Sequence, residues 1–188
     1  RQMLELNLPN SVFVDCTAHP VAVPFYETIL ANSIAIVTPN KIANSGSQEQ
    51  YNRYKKLLQR LGKFRYETNV GAGLPIIGTL NNLLQSGDEI LRIEAVLSGS
   101  LSFIFNNFDG TVPFSDIVRQ AKTLGYTEPD PRDDLSGLDV ARKVLILARE
   151  TGVSLELSDI QIANPLPKAC QEAPSVDDFF VALDKANA

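Results

Sequence analysis

The segment Thr127-Glu128-Pro129-Asp130-Pro131-Arg132-Asp133-Asp134 places four carboxylates within seven residues, punctuated by two prolines. Like charges this close repel one another, so the segment needs either a structural use or a cationic partner. The structural use is a helix N-terminus, where Asp133 and Asp134 complement the dipole and Asp134 or Ser136 caps the first turn. The chemical use is to accept hydrogen bonds from an ammonium group or to bind a hard cation, although the spacing matches no EF-hand loop. Both readings stay open on local evidence. Just beyond, Asp139 and Lys143 stand at i and i+4, on one helical face. A surface salt bridge there is worth about 0.3–0.5 kcal/mol. A Lys held near a carboxylate and partly desolvated can instead deliver a proton to a substrate oxygen.

Other residues carry weaker chemical signals. Thr38-Pro39-Asn40-Lys41 sets Lys41 just past a strand's carboxyl end, and Thr17 ends the preceding strand in the same way. Ligands of open parallel sheets bind at such ends. Gly71-Ala72-Gly73 is not a dinucleotide loop, because Ile76 stands where the third glycine belongs. Three small residues in a row still let backbone carbonyls approach a ligand, and Glu67 could join them around a monovalent or hard cation. A tight strand-to-helix turn accounts for the same residues. Gly99-Ser100, between a strand and a helix, suits an anion or carboxylate pocket. His19 is the only histidine and has no Ser/Asp pattern around it, so no hydrolytic triad can be built. Cys16 reads as a small core residue.

These residues need a frame. Ser11–Asp15, Ser33–Thr38 and Phe64–Thr68 are short apolar runs that stop at small polar residues, as buried parallel strands do. Helical patterns near Val21–Asn32 and Ser47–Leu61 separate them, which predicts crossover connections and a parallel sheet. After Gly71 the pattern changes. A helix near Leu74–Gln85 leads to the longest strand expected, Glu89–Ser98. Helices follow near Leu101–Phe108 and Phe114–Leu124, then the acidic loop, then a helix from Ser136 to Thr151 burying Leu138, Ala141, Leu145 and Ala148. Two regions result: residues 1–70, and residues 71–188.

The totals narrow the function. The 188 residues include 17 Lys and Arg against 22 Asp and Glu, a formal charge of −5. A phosphate-backbone partner needs a basic face, so nucleic acid is not expected. No apolar run approaches the roughly 18 residues of a membrane span. Two cysteines without CxxC spacing support neither a zinc site nor a disulfide framework, and suit a reducing cytoplasm. The opening Arg1-Gln2-Met3 and the helical pattern of the last residues suggest a piece of a longer protein.

In order, Asp15-Cys16-Thr17-Ala18, Thr38-Pro39-Asn40-Lys41, Thr68-Asn69-Val70-Gly71-Ala72-Gly73-Leu74-Pro75, Leu97-Ser98-Gly99-Ser100-Leu101-Ser102, the acidic loop from Gly125 to Asp134, and Gly137-Leu138-Asp139-Val140-Ala141-Arg142-Lys143 resemble homoserine dehydrogenase. The wording is most similar to the dehydrogenase half of bifunctional aspartokinase–homoserine dehydrogenases. The resemblance implies an α/β fold: the rear of a Rossmann-like nucleotide-binding domain, then an α+β substrate and dimerisation domain. It implies NAD- or NADP-dependent interconversion of homoserine and aspartate 4-semialdehyde, in threonine and methionine biosynthesis. Asp139 and Lys143 match the catalytic pair. Glu128, Asp134, Tyr126, Gly99 and Ser100 match the substrate positions, and Thr17 and Lys41 match the cofactor side. Glu67 with the backbone of Val70, Ala72 and Leu74 matches a monovalent cation site, usually sodium. A homodimer or higher homo-oligomer is implied as well.

The family's Gly-rich phosphate loop and its final return to the nucleotide domain have no counterpart in this sequence. The piece alone is therefore expected to bind nicotinamide cofactor poorly and to be inactive, with sheet edges left open. The competing reading is a catalytically silent module of the same fold that senses an amino acid or a cation.

Overall fold

Three apolar runs become parallel strands in the computed structural model of the chain: β1 (Val12–Val14), β2 (Ala35–Val37) and β3 (Phe64–Arg65), ordered β1-β2-β3. The register sets Phe13 beside Ile36 and Ile36 beside Phe64. The structure describes all residues except Arg1, Asn7, Gly62, Asn187 and Ala188, and no side chains at Gln59, Arg60 and Leu61. Helix α1 (Gln2–Leu6) precedes the sheet. A 3-10 turn and α2 (Tyr26–Ala31) connect β1 to β2, and α3 (Gln48–Leu61) connects β2 to β3. These are the expected crossovers, each a helix that returns the chain to the same end of the sheet.

Alternation across the strands decides the packing. Ile36 and Phe64 are buried, and the Tyr26 ring lies 5.8 Å from Phe64 and 6.1 Å from Tyr54. On the other face Val12, Val14 and Val37 remain exposed. Parallel sheets are usually covered on both faces, whereas this one leaves Val12, Val14 and Val37 exposed on its second face.

Helix α4 (Ile76–Gln85) follows the Gly71 turn. The strand expected over Glu89–Ser98 does not form a ladder, and Leu91 is 87% exposed. A strand is defined by the ladder it shares with a neighbour, and residues 89–98 are in none.

The next helices are α5 (Gly99–Asn107), α6 (Phe114–Thr123), α7 (Pro131–Leu135), α8 (Leu138–Glu150), α9 (Lys168–Gln171) and α10 (Val176–Ala186). The helix expected from Ser136 to Thr151 forms as α8, two residues later at its start, and the short α7 before it was not expected. Gly137 separates α7 from α8 with φ +73°, where a Cβ would come within 3.0 Å of Ile162. Ala141 and Leu145 are buried as expected, while Leu138, beside the break, is exposed.

The chain divides into two compact units, Arg1–Ile93 with Arg142–Ile160, and Glu94–Ala141 with Gln161–Ala188. The regular elements described in the second unit are all helices, packed around Ile104, Val118, Leu135, Cys170 and Phe179. The α/β class therefore rests on the first unit's parallel sheet, and Glu89–Ser98 is the strand lacking from the expected plan. No described helix is long and apolar enough to cross a membrane.

Candidate active site

The acidic loop and the start of α5 meet through one carboxylate. Ser98 caps α5, its Oγ accepting the Leu101 N–H at 3.2 Å, and it lies 2.9 Å from the Ser100 hydroxyl. Buried Ser100 donates to Asp134 Oδ1 at 2.7 Å, and Asp134 Oδ2 accepts the Glu128 N–H at 2.8 Å. Tyr126 packs its ring 4.8 Å from Phe103, one turn into the same helix. Glu128 and Tyr126 remain exposed. Gly99, Ser100, Tyr126, Glu128 and Asp134 are thereby gathered within the second unit.

Of the two caps expected, Ser136 serves the start of α8 and Asp134 does not. Asp130, not Asp134, caps α7, accepting the Arg132 N–H at 3.0 Å. The Arg132 guanidinium grips the same carboxylate and holds it below the usual carboxylate range. Ser136 Oγ accepts the Leu138 N–H at 3.3 Å at the start of α8. Asp134 is left for the loop because its carboxylate points back toward α5 instead of along its own helix.

Asp139 and Lys143 lie one turn apart on α8, both half-buried. The helix passes from the second unit into the first between Ala141 and Arg142.

In the first unit a buried polar network lines the carboxyl ends of the strands. Asp15 Oδ1 accepts the Thr17 N–H at 2.8 Å and its hydroxyl at 2.7 Å. Asp15 Oδ2 accepts Tyr26 Oη at 2.5 Å and Asn40 Nδ2 at 3.1 Å. Burial raises the Asp15 pKa, but the hydrogen bonds from Tyr26, Thr17 and Asn40 outweigh it and hold the carboxyl below its ordinary value. The Thr38 hydroxyl donates to the Asp15 carbonyl at 2.8 Å, and Asn69 donates to the Thr38 carbonyl at 3.1 Å. This network fixes Thr17 and the residue before Lys41, whose own carbonyl accepts the Asn44 and Ser45 N–H groups.

Beyond Asn69 the chain turns sharply. Gly71 and Ala72 take φ of +82° and +51°, and a Cβ at Gly71 would come within 2.5 Å of Ile76. Only glycine fits that position. Glu67 Oε2 accepts the Gly78 N–H at 2.8 Å, capping α4 from outside, while Glu67 Oε1 is buried without a partner. A buried carboxylate oxygen left unsatisfied is costly, and a cation held with the carbonyls of Val70, Ala72 and Leu74 would satisfy it. Among the described residues no group of three or more His, Cys, Asp or Glu could hold a metal ion. Val70 is buried, and Ala72 and Leu74 are exposed.

Sequence reading missed several polar residues that hold these positions. Asn40 and Asn69 gave only a turn signal. Glu150, within Arg149-Glu150-Thr151, reads as a polar helix end, yet it is buried with four hydrogen-bond donors around it. Its i+7 spacing from Lys143 was the available clue. His19 is structural, its Nδ1 accepting the Val21 N–H at 3.2 Å. Cys16 is exposed, not a core residue, because it leaves the sheet's covered layer, and Cys170 is the buried thiol.

Known proteins resemble this chain in sequence and in fold. The chain is 54% identical over 177 residues to maize bifunctional aspartokinase/homoserine dehydrogenase 1, chloroplastic, an alignment covering 93% of this chain and 19% of that protein. A Candida auris protein of unknown function matches in structure with a TM-score of 0.87 and 37% identity, over 95% of this chain and 52% of that one. A hyperthermophilic archaeal homoserine dehydrogenase in complex with NADPH matches with a TM-score of 0.67 and 31% identity, over 85% of this chain and 51% of that one. The chain spans about a fifth of the maize protein and about half of each solved chain. The sequence model of the family described as homoserine dehydrogenase matches residues 75–176, from the start of α4 through the acidic loop and α8. By that match the chain belongs to the homoserine dehydrogenase family.

Proposed function

We propose that the complete protein interconverts L-homoserine and L-aspartate 4-semialdehyde with NAD or NADP. The observation that carries this reading is the joining of the acidic loop to the start of α5 through Asp134, one helix away from Asp139 and Lys143. An amino-acid substrate needs acceptors for its ammonium group, and the carboxylates of Glu128 and Asp134 are of that type. Gly99, Ser100 and Tyr126 complete the set proposed to hold it. Lys143 would hold and pass a proton at the oxygen that changes between carbonyl and hydroxyl, and Asp139, one turn earlier, would help orient it.

The nicotinamide cofactor, when bound, supplies or accepts the hydride. Thr17 and Lys41 are the proposed contacts on its side, and the Asp15 network would hold Thr17 rigid. Glu67 with the Val70, Ala72 and Leu74 carbonyls is the proposed site of a monovalent cation, sodium first, supported by the unpartnered Glu67 oxygen. A homo-oligomer in a reducing compartment such as the cytoplasm fits two unpaired cysteines.

The test is homoserine-dependent reduction of NADP+ by the complete protein beside Lys143→Ala. A loss of about 10³-fold in the variant is expected of a general acid–base group. A folded complete protein without turnover would favour a silent amino-acid-binding module.

A further inference from the structure

The least exposed carboxylate of α8 takes no part in the mechanism above. Glu150 has a side chain 0% exposed, and it receives four donors from three other segments. Tyr51 Oη of α3 reaches Oε1 at 3.1 Å, and Tyr66 Oη, just after β3, reaches it at 2.9 Å. Lys55 Nζ of α3 reaches Oε2 at 2.7 Å, and Asn81 Nδ2 of α4 at 3.2 Å. The neighbouring Arg149 is buried too, and donates to the carbonyls of Asn44, Gly46 and Leu155. Two adjacent charges, pointing roughly 100° apart around the helix, therefore lock the last turn of α8 against α3, α4 and two loops.

Such a cluster adds little stability by itself, because an apolar replacement of similar volume is often as stable. What it specifies is register. Glu150 stands seven residues after Lys143, so both project from one face, about 10 Å apart along the axis. A slip of α8 by one residue would swing Lys143 through about 100° and shift it about 1.5 Å. The carboxylate's four donors oppose that slip from three directions. They are also tied to the turn at Glu67: Asn81 lies three residues after Gly78, whose N–H Glu67 accepts, and Tyr66 precedes Glu67.

We infer that Glu150 is a positioning residue, setting the rotation and height of α8 so that Lys143 meets the substrate oxygen. The inference rests on the proton-transfer role proposed for Lys143. Glu150 itself touches no substrate.

The test uses the complete protein with Glu150→Gln, the paired replacement Glu150→Met/Lys55→Met, and Lys143→Ala. The paired replacement removes both charges together, so it leaves no unpaired buried ion to unfold the protein. The mild variant Tyr51→Phe keeps the carboxylate and removes one donor, so folding is not at stake. Steady-state kinetics with homoserine and NADP+ are read for kcat and KM separately across pH 6–10. Positioning predicts that kcat falls about 10- to 100-fold in the Glu150 variants and about twofold to fivefold in Tyr51→Phe. It also predicts a displaced alkaline limb and KM for NADP+ within about twofold of the parent. A kcat and pH profile equal to the parent's in Tyr51→Phe and in either folded Glu150 variant overturns the inference. If that happens while Lys143→Ala is inactive, only the positioning role fails. If Lys143→Ala keeps parental turnover, the proton-transfer reading fails and the positioning role falls with it.

Discussion

Glu150 in the first unit and the acidic loop in the second use carboxylates in opposite ways. Around Glu150 every contact is internal: two tyrosines, a lysine and an asparagine surround a side chain with no exposure. In the loop, Asp134 spends its oxygens on Ser100 and the Glu128 backbone, and the Glu128 side chain stays in the open. A fully satisfied buried carboxylate can only hold parts in place, because a new partner would have to displace an existing one. A carboxylate with spare acceptor capacity at the surface can take a ligand. Charge alone does not separate these uses. The number of committed hydrogen bonds does.

The contrast can be broken most forcefully at its buried pole. Glu150→Ala strands Lys55 and leaves three further donors without an acceptor, so a loss of about 3–5 kcal/mol in urea unfolding is expected. A loss under about 1 kcal/mol would mean that the cluster is not a structural node. Asp15→Asn tests the second buried carboxylate through pH. The folded Asp15 pKa lies below its unfolded value, so its contribution is present above about pH 4 and fades as pH falls through the folded value. The parent should therefore lose more stability between pH 5 and pH 3 than Asp15→Asn, and parallel losses would remove Asp15 as the cause. Ser98→Ala removes the α5 cap and should cost about 1 kcal/mol, read as a lower urea midpoint. The smallest stability effect belongs to the open pole. Glu128→Ala should change stability by no more than about 0.5 kcal/mol, as exposed substitutions do. In the complete protein, however, it should raise KM for homoserine about tenfold or more, which would separate binding from holding.

Much of the fold is legible in the sequence. Strand, helix, strand, helix, strand came from apolar runs ending at Asp15, Thr38 and Thr68, and the parallel order followed from the intervals between them. Failures occurred where the answer depended on a neighbour. Glu89–Ser98 has the composition of a strand, yet a ladder is a property of two chains of backbone, and composition describes only one. The helix expected from Ser136 starts only at Leu138, after Gly137 at positive φ beside Ile162, a neighbour 25 residues on. The acidic loop showed a concentration of charge but not its division of labour. Local rules offered Asp134 or Ser136 as the cap of the following helix; Ser136 accepts the Leu138 N–H there, whereas Asp134 reaches Ser100, 34 positions away, and Asp130 caps the short α7.

Sequence by itself determined the parallel α/β plan of the first unit, the family, and which residue types could handle an ammonium group or a proton. Those follow from periodicity, from glycine and proline at fixed places, and from motifs in a fixed order, all of which are local. Tertiary structure alone decided which polar groups are committed and which stand free. It buried Glu150 among tyrosines, left one oxygen of Glu67 unpartnered, and drew Asp15, Asn40 and Asn69 into one network. The physical reason is that a hydrogen bond between distant residues exists only after the chain has brought them together, and no spacing along the chain encodes that distance.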